Sequence, residues 1–297
     1  MLARCRCLCF SFSALILGAV PALSQKTAPG NLGSSRGRTI VLPHELVAGA
    51  PASVAVLDAQ GRLAPGVPLQ FTLGLRSEVI QRLTTDRTGR AVFTAPATPG
   101  VIFAQIVGGR EKVSSVVAPA SVAPAGGPRA TSYPEAASIT DGFEVSGEGF
   151  RGEADGNDVT IGGAPGLVLA ASPVALVVFA APALHPGPTE FQVESSSRKS
   201  PAYPITLVSL ELGAVSPRLD PGQRQTLTVR ARGTRERLLV EAHNLSPAVA
   251  TIARSDPLRL ETSGGERNIA QFEIMGRRPG DFRISIRLIP RQRKTEP

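Results

Sequence analysis

The feature that most constrains this chain is a short run with apolar side chains at alternate positions, closed by Gly, Pro or Asp and repeated along most of its length. Alternation places the apolar residues on one face of an extended strand, whereas a helix needs a period of 3.6. In Val67-Pro68-Leu69-Gln70-Phe71-Thr72-Leu73 the odd positions are apolar. In Gln225-Thr226-Leu227-Thr228-Val229-Arg230-Ala231-Arg232, the residues Leu227, Val229 and Ala231 face inward, while Thr228, Arg230 and Arg232 face water. Turn signals separate such runs, among them Asp58-Ala59-Gln60-Gly61-Arg62, Asp86-Arg87-Thr88-Gly89, Pro186-Gly187-Pro188 and Pro279-Gly280. Strands recurring at so short an interval predict an all-β chain of sandwiches. A length of 297 residues leaves room for two or three of them.

The first 24 residues read as an export signal. Arg4 and Arg6 supply positive charge, Leu8 to Val20 is apolar apart from Ser11 and Ser13, and Ala22-Leu23-Ser24 offers a small–x–small cleavage pattern before Gln25. The apolar run is short of the roughly 20 residues that a bilayer span takes, and an uncleaved signal anchor is the alternative. Cys5, Cys7 and Cys9 are the only cysteines and all lie inside this signal. The mature chain is therefore expected to hold together by packing and strand pairing, with no disulfide and no lipid anchor, in an oxidising compartment. No later segment is apolar enough for a transmembrane anchor. The longest apolar run, Val174 to Ala181, is strand-length and reads as a strand covered on both faces.

Three modules follow, each carrying a resemblance. Residues 38–118 hold Val56-Leu57-Asp58-Ala59-Gln60-Gly61-Arg62, Pro65-Gly66-Val67-Pro68-Leu69 and Thr85-Asp86-Arg87-Thr88-Gly89-Arg90-Ala91. This pattern resembles the invasin/intimin type of bacterial Ig-like module, which implies a stalk or adhesion role. Residues 119–130 are rich in Pro, Gly and Ala and read as a semi-extended spacer that leaves the flanking modules free to reorient. Residues 131–212 hold Phe143-Glu144-Val145-Ser146-Gly147-Glu148-Gly149-Phe150, then Val159-Thr160-Ile161-Gly162-Gly163, then an apolar run and Pro186-Gly187. That order resembles the IPT/TIG Ig-like module, found in surface receptors, exported carbohydrate-processing proteins and some transcription factors. Residues 213–290 hold Pro221-Gly222-Gln223, Pro247-Ala248-Val249-Ala250-Thr251 and Pro279-Gly280 in register. They resemble the other common bacterial Ig-like repeat. Residues 291–297 form a basic tail. The fold expected is three tandem Ig-like β-sandwich domains after an N-terminal signal peptide.

Reactive chemistry is sparse. The three histidines, His44, His185 and His243, fall one to a module, which separates them too far for a shared metal or a Ser–His pair. Ser146 lacks the Gly-x-Ser-x-Gly elbow and the strand-to-helix turn that would expose a nucleophile. Glu153-Ala154-Asp155-Gly156-Asn157-Asp158 gathers oxygens around a glycine but lacks the distal glutamate of a calcium loop, so a polar turn is the better reading. Asn244-Leu245-Ser246 fits a glycosylation acceptor by coincidence. The chain is expected to be no enzyme and to need no cofactor or metal.

Charge is the remaining signal. The formal net charge of +8 falls to +6 once Arg4 and Arg6 are removed, and much of the excess sits in the last module. Arg230, Arg232, Arg235 and Arg237 lie on or just after one strand, while Arg283 and Arg287 share an outward face two positions either side of Ser285. If those strands are neighbours, Arg230, Arg232, Arg283 and Arg287 line one sheet face able to hold carboxylate or phosphate; a merely solubilising face is the competing reading. No nucleic-acid partner is expected, because stacking aromatics are scarce (no Trp and two Tyr) and the export signal points to the wrong compartment. Two functions remain. One is an exported structural or adhesion protein, periplasmic, cell-surface or extracellular, that binds a cell-envelope or extracellular protein or an acidic polysaccharide. The other is a carbohydrate-binding accessory protein of a polysaccharide-processing system, which the shortage of aromatic platforms counts against.

Overall fold

The computed structural model describes residues 33–35, 37–74, 78–109, 112–120, 126–216, 218–252 and 256–295. The segment expected to be an export signal, with its three cysteines, and residues 121–125 of the expected spacer lie outside the described residues. Among those described there is no α-helix, and the fold is all-β as the alternation predicts.

In the first sandwich, Pro51–Leu57 lies between Arg38–Val41 and Arg90–Thr94. The facing sheet runs Glu45–Val47, Lys112–Ala118, Gly100–Ile106, Pro68–Leu73, Glu78–Thr84. Leu69 and Phe71 point inward as their period requires, and Phe71 packs on Phe93 at 4.6 Å between centroids. The two Asp-x-x-Gly turns work alike. Asp58 Oδ1 accepts the N–H groups of Gln60 and Arg62, and Asp86 Oδ1 accepts those of Thr88 and Arg90. Gly89, at φ +75°, approaches Ala64 so closely that a Cβ would lie 2.6 Å from its nitrogen.

In the second sandwich, Phe143–Glu148 lies between Arg129–Pro134 and Ala175–Phe179. The other sheet contains Asn157–Ile161, Gly187–Ser195 and Tyr203–Leu212. Ala164–Ser172 turns the corner, pairing first with Asn157–Ile161 and then with Ala175–Phe179. Tyr133, Phe143, Phe191 and Tyr203 meet in the core, Phe191 stacked on Tyr203 and the other pairs tilted or edge-on.

The third sandwich sets Arg224–Arg232 against Ile269–Gly276, which also pairs with Ala250–Ile252. Its second sheet has Leu239–Asn244 between Leu258–Glu261 and Ile284–Ile289. Leu227, Val229 and Ala231 are buried and Arg230 and Arg232 exposed, in line with the alternation.

The sandwiches do not swing on linkers. Arg90 is buried at the first joint, where its Nη2 donates to the Val168 carbonyl at 2.7 Å and its Nε to that of Leu169 at 3.3 Å. Its Nη1 reaches Asp155 Oδ1 at 3.1 Å. Val41, Ala55, Leu57, Leu169, Ala170 and Val177 form an apolar cluster across the same joint. Val177 faces this cluster while its neighbours Leu176 and Val178 face the core of the second sandwich. The strand expected to be covered on both faces is thus covered on one of them by the first sandwich. The free reorientation expected of the spacer is therefore corrected: burial of a guanidinium and an apolar cluster fixes the two bodies whatever the spacer does.

At the second joint the backbone itself is continuous. Tyr203–Leu212 pairs with Gly187–Ser195 through its first half and with Arg224–Arg232 through its last four residues. The basic tail is no loose end either. Gln292–Lys294 pairs antiparallel with Ser132 to Pro134, returning the C-terminal segment to the second sandwich.

Candidate functional site

The four arginines do not share a face. Arg230 and Arg232 lie on Arg224–Arg232, Arg287 lies on Ile284–Ile289, and Arg283 just precedes it. These strands belong to opposite sheets of the third sandwich, so the arginine-lined face conditional on their being neighbours does not form. Arg287 has a local task. Glu241 stands opposite both Arg259 and Arg287 in register, its side chain only 2% exposed. Arg259 Nε meets one carboxylate oxygen at 2.6 Å and Arg287 Nη2 the other at 2.5 Å. Two guanidiniums cover one buried carboxylate, which would otherwise be desolvated without a partner.

Arg230 and Arg232 instead line an open cleft of about 790 Å³ where the second and third sandwiches meet. Its walls include Pro188 and Thr206 from the second sandwich, and Thr234, Arg235, Glu236 and Glu266 from two loops of the third. Gly233 closes the floor. Its φ is +100°, and a Cβ there would lie 2.3 Å from the Leu207 carbonyl oxygen and 2.9 Å from the Gly187 nitrogen. Only glycine lets the two sandwiches approach that closely.

Asn268 staples the two loops. It is buried, its Nδ2 donates to the carbonyls of Thr234 and Glu236 at 3.1 and 2.8 Å, and its Oδ1 accepts from the Gly264 N–H at 3.0 Å. The Gly265 N–H adds a bond to the Arg235 carbonyl. The cleft wall is thereby fixed by the Asn268 side chain and one backbone bond, contacts that do not depend on a ligand.

Its charges are arranged in pairs. Arg232 Nε lies 2.6 Å from Glu211 Oε1, and Arg235 Nη2 lies 3.4 Å from Glu266 Oε1. Among the described residues Arg230 and Glu236 have no ion-pair partner, leaving one guanidinium and one carboxylate uncommitted. No aromatic residue lines the cleft, and both tyrosines are buried in the second core. Alternation gave away Arg230 and Arg232. Glu211, Glu266, Asn268 and Gly233 carry no local signal, because they come from segments brought together only by the joint.

The remaining candidates stay apart. His44 lies in the first sandwich, His185 is exposed in the second, and His243 of the third holds Asp256 Oδ1 through Nδ1 at 3.1 Å. The Glu153–Asp158 loop is a polar turn. Asn157 Oδ1 accepts the Arg151 N–H and its Nδ2 donates to the Arg151 and Glu153 carbonyls, while Glu153 and Asp155 face Arg151 and Arg90. Among the described residues no group of three His, Cys, Asp or Glu side chains is placed to hold a metal ion. No helix there is long and apolar enough to cross a membrane.

One carboxylate is perturbed. Glu144 is partly buried at the first joint, where desolvation pushes its pKa up to about 7 against the backbone N–H that His44 donates to Oε2 at 3.0 Å; the Glu45 charge adds to the rise. No ion pair to Glu144 occurs among the described residues, so the joint keeps a carboxyl that favours its neutral form.

No family model matches the chain, and no curated protein does. Solved structures with a similar arrangement include SGBP-B of the Bacteroides ovatus mixed-linkage glucan utilization locus, in complex with a mixed-linkage heptasaccharide. It is 13% identical with a TM-score of 0.30, over 82% of this chain and 71% of that one. SGBP-B of a complex xyloglucan utilization locus in Bacteroides uniformis is 10% identical with a TM-score of 0.26, over 89% and 99%. Domains 1–6 of the surface layer protein SbsC are 13% identical with a TM-score of 0.21; the match covers 88% of this chain and 39% of that one. These chains are all-β like this one, and at such scores the likeness carries nothing about ligand or activity.

Proposed function

We propose that this chain is an exported, non-catalytic carbohydrate-binding accessory protein that takes a glycan in the cleft between its second and third sandwiches. The observation that supports this reading is the cleft itself. It is polar, open, wide enough for several sugar units, and its walls are fixed in advance by Gly233 and Asn268. A site built before its ligand arrives loses less ordering entropy on binding. Threonine hydroxyls, guanidiniums and carboxylates are the groups that bond sugar hydroxyls, and an open groove accepts a chain that continues past both ends.

The structural or adhesive reading drew on the stalk role implied by the first module's resemblance and on an arginine-lined face, and the split of those arginines between two sheets removes the second of these supports. The three fixed sandwiches serve the accessory role as a rigid spacer that holds the cleft at a set distance from the first module.

The test is a panel of immobilised polysaccharides probed with the mature chain and with Arg230→Ala and Glu236→Ala. Binding that weakens at least tenfold in both variants, with thermal unfolding unchanged, is the expected result. Binding that is indifferent to both substitutions would place the ligand elsewhere and sink the cleft as the site.

A further inference from the structure

The chemistry of the cleft narrows what can occupy it. The arginine excess of the third module suggests an acidic ligand, but the excess is not delivered to the cleft. Arg230, Arg232 and Arg235 are met there by Glu236 and Glu266 on the walls and by Glu211 on Arg232. Three guanidiniums therefore face three carboxylates. An acidic polymer entering the groove gains attraction from one set and meets repulsion from the other within a few ångströms, so the site has no net charge to hold it.

Resting on the glycan reading of the cleft, we infer that its ligand is an uncharged polysaccharide, recognised by hydroxyl groups that bridge guanidinium and carboxylate. A sugar hydroxyl both donates and accepts. It can accept from a guanidinium N–H and donate to a carboxylate oxygen at once, which a carboxylate or sulfate cannot do. Arg230 and Glu236 are the uncommitted donor and acceptor. Arg232, two residues along the strand and so about 7 Å from Arg230, repeats the donor edge at roughly the scale of one sugar ring. Glu266, on the Arg235 guanidinium, repeats the acceptor on the wall. The pairs at Arg232 and Arg235 are solvent-exposed, with side chains 44–84% accessible, and exposed pairs of this kind contribute about 0–1 kcal/mol. They can therefore open toward hydroxyls at little cost while holding the groups in position beforehand.

The absence of an aromatic wall sets the character of the complex. Without a ring for the sugar to stack on, affinity comes from hydrogen bonds spread over several units. Oligosaccharides are then expected to bind weakly and polymers to bind through length.

The experiment is affinity electrophoresis and titration calorimetry of the mature chain. The probes are soluble neutral β-glucan, galactomannan and arabinan, with polygalacturonate and a sulfated glycan alongside, in 20 mM and 500 mM NaCl. One or more neutral polymers should bind with a dissociation constant that shifts less than twofold between the two salts. Arg230→Gln and Glu236→Gln should each weaken that binding at least tenfold, and Arg283→Gln, on the opposite sheet, should leave it unchanged. Suppose instead that the acidic polymers bind at low salt, release at high salt and still depend on Arg230. The cleft would then stand as a glycan site and the uncharged ligand would be overturned. If no polymer binds, or binding ignores Arg230 and Glu236, the glycan reading falls and this inference with it.

Discussion

The joint between the first two sandwiches and the joint between the last two are held by different kinds of contact. At the first, a single antiparallel bridge between Ser53 and Ala171 is surrounded by side chains from distant segments: Arg90 on the Val168 and Leu169 carbonyls, Ser53 Oγ accepting the Ala171 N–H at 2.9 Å, Ser172 Oγ donating to the Glu45 carbonyl at 2.7 Å, and an apolar cluster. At the second, the main chain does the joining through one strand shared between sheets and a C-terminal strand that returns. A docked joint can be weakened by one side chain or by one proton. A joint made of continuous strand resists point substitution and yields only where backbones must nearly touch. The cleft sits at the second kind of joint, where its geometry is better protected.

The largest expected effect tests the docked joint. Arg90→Ala removes two buried hydrogen bonds to carbonyls of the second sandwich and leaves Asp155 without its partner and a void where the guanidinium lay, which should cost about 4 kcal/mol. In calorimetry this should appear as a separate, earlier transition of the first sandwich. A single unshifted transition would mean that the apolar cluster alone fixes the joint.

Next comes its proton dependence. Glu144 is pushed from an ordinary 4.5 to about 7, so the folded state holds this proton more tightly than the unfolded chain does. Its contribution is fully present below pH 4.5 and is lost as pH rises to 7 and above, a change of about 3 kcal/mol at roughly 1.4 kcal/mol for each pH unit. Glu144→Gln should remove that slope and raise stability at pH 8. If urea unfolding of this variant keeps the parent's slope between pH 5 and 8, the group responsible lies elsewhere.

For the second joint, Asn268→Ala removes three partly buried hydrogen bonds and should cost about 2 kcal/mol, with loss of cleft binding even under conditions where the chain stays folded. Unchanged binding would show that the loops hold without their staple. Smallest of all, removing residues 291–297 deletes one short outer strand and should lower stability by about 1 kcal/mol. A much larger drop in unfolding temperature would make that strand a principal clamp of the second joint.

The strands with strict alternation were legible from residues alone. Pro68–Leu73 and Arg224–Arg232 fall where alternation puts them, and the Asp-x-x-Gly turns form through the aspartate bonds that their spacing implies. Weaker strands such as Glu78–Thr84 and Leu258–Glu261 lie at sheet edges, where little is buried and the pattern fades. At the site, Arg230 and Arg232 were legible as outward arginines and their companions were not. Arg283 and Arg287 look identical to them in sequence, yet they face out from the opposite sheet.

Local pattern therefore determined the all-β class, the turn chemistry and the inward or outward sense of most strand residues, because each depends on neighbours within a few positions. Tertiary structure alone decided which outward residues meet. It joined the first two sandwiches, which the spacer would have left free, buried Arg90 and partly covered Glu144 at that joint, and set Glu211, Glu236 and Glu266 among the arginines at the other. The reason is physical. Sheet partnership and docking depend on pairings across scores of residues, and the charge a groove presents is the sum over all the segments that reach it.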